Sequence, residues 1–357
     1  MNRTAPEMQS ISTESGEREG YQAMINIAIL SFWHVHAKDY AQQAEQHPDV
    51  AITAVWDENP IRGRIQAEAR QVPFYDNLAV LLADPGIDAV IVSAPTTMHR
   101  DIMVEAANAG KHIFTEKVLA PTIRECNEIV EATQAARVIL TVSLPRLSTP
   151  FAQAAQEIIG KGLLGRLTQA RMRLAHKGAL SESGLPAYFY KLEQSAGGAM
   201  IDLGCHPMYL TRLLLGMPES VSASYGYVTG REVEDNAAVV LRYPDGALGI
   251  VEAGFVNPFS PFTLEVHGTE GSLQYSAHTR KVIVASYANG TDPVMEWPLP
   301  AALPSPFEQW VTQIQSGVQD NQSARNIELA LDLTRLMEAS NLSAQSGEAV
   351  KMTELKE

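Results

Sequence analysis

Five short apolar runs in the first 145 residues constrain the fold more than any other feature of the chain. They cover 25–30, 50–56, 87–93, 111–115 and 138–143. Each is too short for a core helix and apolar almost throughout, as a strand buried on both faces must be. Helical spacing of apolar residues lies between and around them, at 37–46, 60–70, 78–83, 99–109 and 121–136. Strands alternating with helices predict a parallel sheet covered on both sides. Such sheets bind ligands at the carboxyl ends of their strands.

The predicted strand ends carry residues with chemistry. The first is followed by Ser31-Phe32-Trp33-His34-Val35-His36-Ala37. A dinucleotide fold places G-x-G-x-x-G/A at this turn, so that backbone can approach a pyrophosphate at a helix N-terminus. Here Ser31, Trp33 and either His36 or Ala37 stand in the glycine positions, so the fingerprint is absent and the motif alone assigns no dinucleotide. Ser31 and the helix N-terminus remain able to hold phosphate, whereas Trp33 is bulky where close approach is needed. Asp57 ends the second run near the spacing of the acid that holds an adenosine ribose, ~20 residues on. A carboxylate there disfavours a 2′-phosphate, which favours NAD over NADP; the plain alternative is a turn or helix-cap role. The third run leads into Ser93-Ala94-Pro95-Thr96-Thr97-Met98-His99, and the fourth into Glu116-Lys117-Val118. At a cleft, Lys117 is a cation placed to hold or polarise a substrate oxygen.

The second half reads differently. After a helix at 150–161, period-two patterns occur at 167–176, 220–228, 237–243, 247–255, 262–267, 272–275 and 282–286. Turn signals such as Pro244-Asp245-Gly246 separate them. Short connections predict a mostly antiparallel sheet, with helices at 306–314 and 324–341 closing the chain. An open apolar face on such a sheet predicts a homodimer or homotetramer. Between these regions lies Gly197–Leu210, GGAMIDLGCHPMYL. Read as a helix, it sets Asp202 and His206 four apart on one face, where a carboxylate can orient an imidazole for work as a base. A satisfied core histidine is the bland alternative. Arg146, at the crossing between the halves, and Tyr190, in the 181–195 loop, are further candidates for substrate contact; Tyr188 and Lys191 share that loop.

Composition narrows the function. A formal charge of −14 argues against nucleic acid or anionic membrane as the main partner. Two cysteines, Cys126 and Cys205, make no disulfide framework and fit a reducing cytoplasmic setting. No apolar run reaches the ~18 residues of a membrane span. The polar first 23 residues read as a disordered leader, followed by units at 24–145 and 146–357. No set of His, Cys, Asp and Glu completes a metal site by spacing.

Several segments, in order, resemble the Gfo/Idh/MocA oxidoreductases, the group of glucose-fructose oxidoreductase and inositol 2-dehydrogenase. They are AGKHIFTEK at 109–117, Pro95 with His99 before it, Gly197-Gly198…Asp202…His206, and Gly268-Thr269-Glu270-Gly271-Ser272. The resemblance runs roughly from Ile25 to the C-terminus. It implies a Rossmann NAD-binding domain followed by an α/β domain with a large, mostly antiparallel sheet. It also implies a catalytic lysine, carried by Lys117, and an acid and base, carried by Asp202 and His206. The sequence departs from the family pattern at the phosphate-loop glycines and at Val118, which replaces the proline of Glu-Lys-Pro. The expected cofactor contacts are Ser31, Phe32, Trp33, His34, Val35 and Asp57 on the first two strand ends. Ser93, Ala94, Pro95, Thr97, His99, Glu116 and Lys117 add those of the next two. The expected activity is NAD-dependent hydride transfer at a hydroxyl carbon of a sugar, inositol or related polyol, with His206 as base oriented by Asp202. The alternatives are an NAD-using glycoside hydrolase of the same fold and a non-catalytic sugar or nucleotide sensor.

Overall fold

The computed structural model describes residues 24–180, 184–290, 293–317 and 321–355. The expected leader at 1–23 and positions 181–183 of the expected loop lie outside the described residues.

The first sheet is built from β1 (Ile25–Leu30), β2 (Val50–Trp56), β3 (Phe74–Tyr75), β4 (Ala89–Val92), β5 (His112–Thr115) and β6 (Leu140–Val142). Its order is β3-β2-β1-β4-β5-β6, all parallel. The strand order reverses between β1 and β4, which opens a crevice at their carboxyl ends. The helices α1 (Ala37–Gln46), α2 (Pro60–Arg70), α3 (Leu78–Leu82), α4 (His99–Asn108) and α5 (Ile123–Ala136) make the crossovers. Local chemistry sets their starts. Asn59 accepts from the Ile61 and Arg62 N–H groups ahead of α2, and Thr122 with Glu125 forms a capping box on α5.

After α6 (Pro150–Gly160), β7 (Leu167–Ala175) enters the second sheet. The short α7 (Leu192–Ser195) and then α8 (Cys205–Leu215) follow, before β8 (Ser220–Gly226), β9 (Asn236–Arg242), β10 (Leu248–Gly254), β11 (Thr263–Gly268), β12 (Gly271–Ser276), β13 (Lys281–Ser286) and β14 (Val294–Trp297). The chain closes with α9 (Pro306–Ser316), α10 (Asn321–Ser346) and β15 (Val350–Lys351). The nine strands lie in the order β14-β13-β12-β11-β7-β10-β9-β8-β15. All neighbours are antiparallel except β7 and β10, which run parallel in the middle of the sheet. Period-two patterning locates strands but does not pair them, so this central parallel pair was not foreseen.

The fold class is therefore the expected one, a Rossmann-type sheet followed by a large, mostly antiparallel sheet with helices. Two details differ. The helix α9 does not belong to the second sheet's core: Phe307, Trp310 and Val311 pack with Ile27, Ile91 and Phe114 of the first sheet. On the open face of the second sheet, Arg171 pairs with Glu252, while Val240 and Leu248 are exposed. No helix among the described residues is long and apolar enough to cross a membrane.

Candidate active site

Lys117 lies two residues past the end of β5 and is buried beside two carboxylates. Its Nζ donates to the backbone carbonyl of Asp202 at 2.7 Å and to Asp202 Oδ1 at 2.9 Å, with Glu116 Oε1 3.8 Å away. Burial alone would discharge this amine. The negative charges of Asp202 and Glu116 outweigh burial and hold the ammonium above its ordinary range. Burial likewise opposes the Asp202 charge, but Lys117 and His34 together keep its carboxyl well below the usual range. Glu116 follows the same pattern: burial raises it, His34 and Lys117 lower it further, and it remains an ion. Its carboxylate accepts from the Tyr40 hydroxyl, whose oxygen in turn accepts from the Ser143 hydroxyl at 2.8 Å. The Lys117–Val118 peptide is cis without the proline.

His34, from the turn after β1, stands between the acids, with Nδ1 3.7 Å from Glu116 and Nε2 3.7 Å from Asp202. Asp202 itself sits in a π-helical turn, Met200–Gly204, that precedes α8. Such turns cluster at functional sites. The wider turn separates the two side chains that α-helical spacing had put together. The carboxylate of Asp202 goes to Lys117, and the ring of His206 goes to Tyr209, whose hydroxyl lies 3.2 Å from Nδ1. The expected orienting bond from Asp202 to His206 is thus made by Tyr209 instead, which in turn accepts the Arg146 N–H at 3.0 Å. Burial, with the cations Lys117 and Arg146 nearby, holds His206 well below the ordinary histidine range, so it is neutral at pH 7. Cys205 is inert by comparison: burial pushes its thiol up to about 12.

Other candidates fall elsewhere. His99 lies behind the site, its ring nitrogens 3.1 Å from the carbonyls of Ala94, Val118 and Leu119, where it ties two strand ends together. Tyr190 donates to the Gly178 carbonyl, and its ring lies under the Arg231 guanidinium at 3.8 Å. That is a packing position away from the cavity. The Arg146 guanidinium lies over Phe262. Among the described residues no cluster of His, Cys, Asp and Glu is arranged to hold a metal.

The dinucleotide end can be tested against its own groups. Ser31 adopts φ 76°, the left-handed conformation usually left to glycine, and so makes the tight turn itself. The Ser93 hydroxyl is buried beside this turn without a partner among the described residues, and the Ser93 carbonyl accepts the His34 N–H. These features fit a phosphate-bearing ligand. Asp57 is more committed than expected. Its carboxylate accepts from the Phe32 and Asn59 N–H groups and from Arg62 Nε and Nη2, at 2.7–2.9 Å. Trp33 stacks on Phe189 at 4.6 Å and 5°, and its Nε1 donates to Gln194. Tyr188 lies under Arg62. The cavity left between Trp33, His34, Lys117, Phe189 and Asp202 is about 20 Å³, room for one water. The residues fit a dinucleotide along this crevice, which the 187–195 segment narrows where Phe189 and Gln194 meet Trp33. Sequence reasoning missed Arg62, Phe189 and Tyr209. Only Arg62, one helical turn beyond Asp57, left a readable signal.

A parallel sheet with this crevice, and a buried Lys–Asp pair beside a neutral histidine, define a dinucleotide-dependent oxidoreductase. Residues 26–144 match the model described as "Oxidoreductase family, NAD-binding Rossmann fold", and residues 152–274 match the GFO/IDH/MocA C-terminal domain. The chain belongs to the Gfo/Idh/MocA family of NAD-binding oxidoreductases. It is 30% identical over 262 residues to scyllo-inositol 2-dehydrogenase (NAD(+)) of Bacillus subtilis, covering 70% of this chain and 72% of that one. Levoglucosan dehydrogenase of Pseudarthrobacter phenanthrenivorans is 26% identical, over 58% of this chain and 60% of its own. A solved structure of levoglucosan dehydrogenase with NADH and levoglucosan shares the fold, at TM-score 0.77 and 22% identity, over 92% of this chain and 100% of that one.

Proposed function

We propose that the protein is an NAD-dependent dehydrogenase acting on a CH–OH group of a sugar, inositol or related polyol. The observation that carries this reading is the arrangement of Lys117 and His206: a buried ammonium with a donor to spare, and a neutral imidazole. Relatives named for inositol and levoglucosan oxidation support the substrate class. When bound, NAD supplies the hydride acceptor. Ser31, the 32–35 backbone, Asp57, Ser93 and Glu116 are the groups that would hold it.

Two of the three Lys117 N–H donors are spent on Asp202. The third is free for the substrate oxygen, where it stabilises the negative charge that grows as the carbinol loses its hydride. Asp202 fixes the ammonium in that position. His206 takes the hydroxyl proton at Nε2. To do so its Nδ1 must carry the resident proton and donate it to the Tyr209 oxygen, so Tyr209 selects the working tautomer. Because His206 titrates below the ordinary range, the base itself stays deprotonated as pH falls through 6.5. Its acid limb lies lower.

The test is NADH formation with a panel of inositols, anhydrosugars and aldoses, run beside titrations with NADH and NADPH followed by Trp fluorescence. NADH is expected to bind more tightly than NADPH. His206→Ala is expected to lower kcat about 10²–10³-fold, and Tyr209→Phe about tenfold with little change in KM. A panel without any NAD reduction, or a His206→Ala variant with wild-type turnover, overturns the reading. Two buried free cysteines support a cytoplasmic location. The Val240 and Leu248 face of the second sheet supports a homodimer or homotetramer.

A further inference from the structure

One residue, far away in sequence, satisfies the start of the helix that carries Asp202 and His206. The first N–H groups of a helix have no partner within it and are usually met by a side chain just upstream. Here no local side chain does so. Instead Gly198 N–H donates to Glu234 Oε2 and Met200 N–H to Glu234 Oε1, each at 2.9 Å. The Ala199 N–H between them donates to the Glu234 backbone carbonyl, also at 2.9 Å. Three consecutive amides are held by one buried residue at the entry to β9, two residues before Asp202. The groups facing this carboxyl are Asp235 beside it and Tyr225 and Tyr227 from β8 and the turn after it. None of these is a cation. Burial pushes the Glu234 carboxyl up to about 7, against the pull of its N–H donors.

We propose that Glu234 is a positioning residue: as a carboxylate it clamps the first turn of the catalytic helix and so sets where Asp202 and His206 stand, and on taking a proton it loosens its hold on one end of that turn. A carboxylate accepts at both oxygens. Once protonated, one oxygen carries a hydrogen on one lone pair and accepts only weakly at the other, so its bond to the N–H loosens. The inference rests on the reading that Asp202 and His206 serve the reaction, and it makes the site pH-sensitive at a point no catalytic side chain occupies.

The test uses backbone amide exchange at Gly198, Ala199 and Met200, corrected for intrinsic rates, from pH 5.5 to 8.5. It compares the full-length wild type with Glu234→Gln and is paired with kcat and KM over the same range. In the wild type, protection at Gly198 or Met200 is expected to fall about tenfold as pH drops below 7. In Glu234→Gln protection is low at every pH and kcat falls about tenfold. Its KM for NAD stays within twofold, and the acid limb near 7 disappears, leaving the lower His206 limb. Equal protection in both proteins overturns the clamp. Lost protection with wild-type kcat and pH profile overturns the positioning role. If Glu234→Gln does not fold, a flat protection profile in the wild type overturns the proposal by itself. Exchange needs no substrate, so failure of the clamp is separable from failure of the dehydrogenase reading, which the substrate panel and the His206→Ala turnover decide.

Discussion

Lys117→Met is expected to lower kcat about 10²–10³-fold, the loss seen when one buried donor to a developing oxyanion is removed. Methionine keeps most of the volume and deletes only the charge and the donors. The change has a second effect, because Asp202 loses its largest opposing charge and Glu116 loses one of two, His34 being the other. Burial then counts for more, and both carboxyls rise. Removing one partner of a buried ion pair costs about 3–5 kcal/mol of stability, and the variant should also melt lower. Steady-state kinetics at substrate saturation separates the two effects, since a folded variant at low temperature still lacks the donor. A Lys117→Met protein turning over within threefold of wild type would remove Lys117 from the chemistry.

Gly198→Ala and Gly197→Ala, neighbours in one dipeptide, should behave very differently. A Cβ on Gly198 would overlap the Glu234 carbonyl oxygen and lie 2.9 Å from its carbon and nitrogen, all backbone atoms at the edge of β9. Neither side can give way without breaking the three amide bonds to Glu234. Overpacking of this kind costs about 3 kcal/mol or more, and Tm should fall by about 5–10 °C. A Cβ on Gly197 meets the Ile201 side chain, 3.1 Å from Cγ2 and 3.3 Å from Cβ, a crowding that a shift of a few tenths of an ångström relieves. That variant should stay within about 1 kcal/mol of wild type. Thermal unfolding of the two proteins side by side checks the prediction, and equal midpoints would sink it.

The first sheet was legible because its strands are buried on both faces and its helices keep strict spacing. The runs at 25–30 and 50–56 match β1 and β2 residue for residue. The strands that were missed, β3, β14 and β15, have two to four residues. A stretch that short shows no periodicity. At the site, Lys117, Asp202 and His206 were named from position at strand and helix ends, and the structure gathers Lys117 with Asp202 directly. Which carboxylate serves which cation was not readable. The α-helical period assigned Asp202 to His206, and the π-turn at Met200–Gly204 broke that period. Glu234 left no signal of its own. The Gly197-Gly198 pair stood only as part of the family pattern, and nothing in the sequence said that the Glu234 backbone approaches it.

The 26-residue helix α10 has consequences beyond packing. It lies against α5 and β6 of the first sheet and against α8 and β8 of the second. Asn326 on α10 exchanges both its amide bonds with the Val142 backbone, Glu338 accepts from Ile123, and Asp332 holds Arg212. A rod bonded to both sheets resists hinge opening between them, because any rotation must shear one set of these contacts. The two halves are thus joined through one helix, and a substitution at Asn326 or Asp332 is felt on both sides of the crevice.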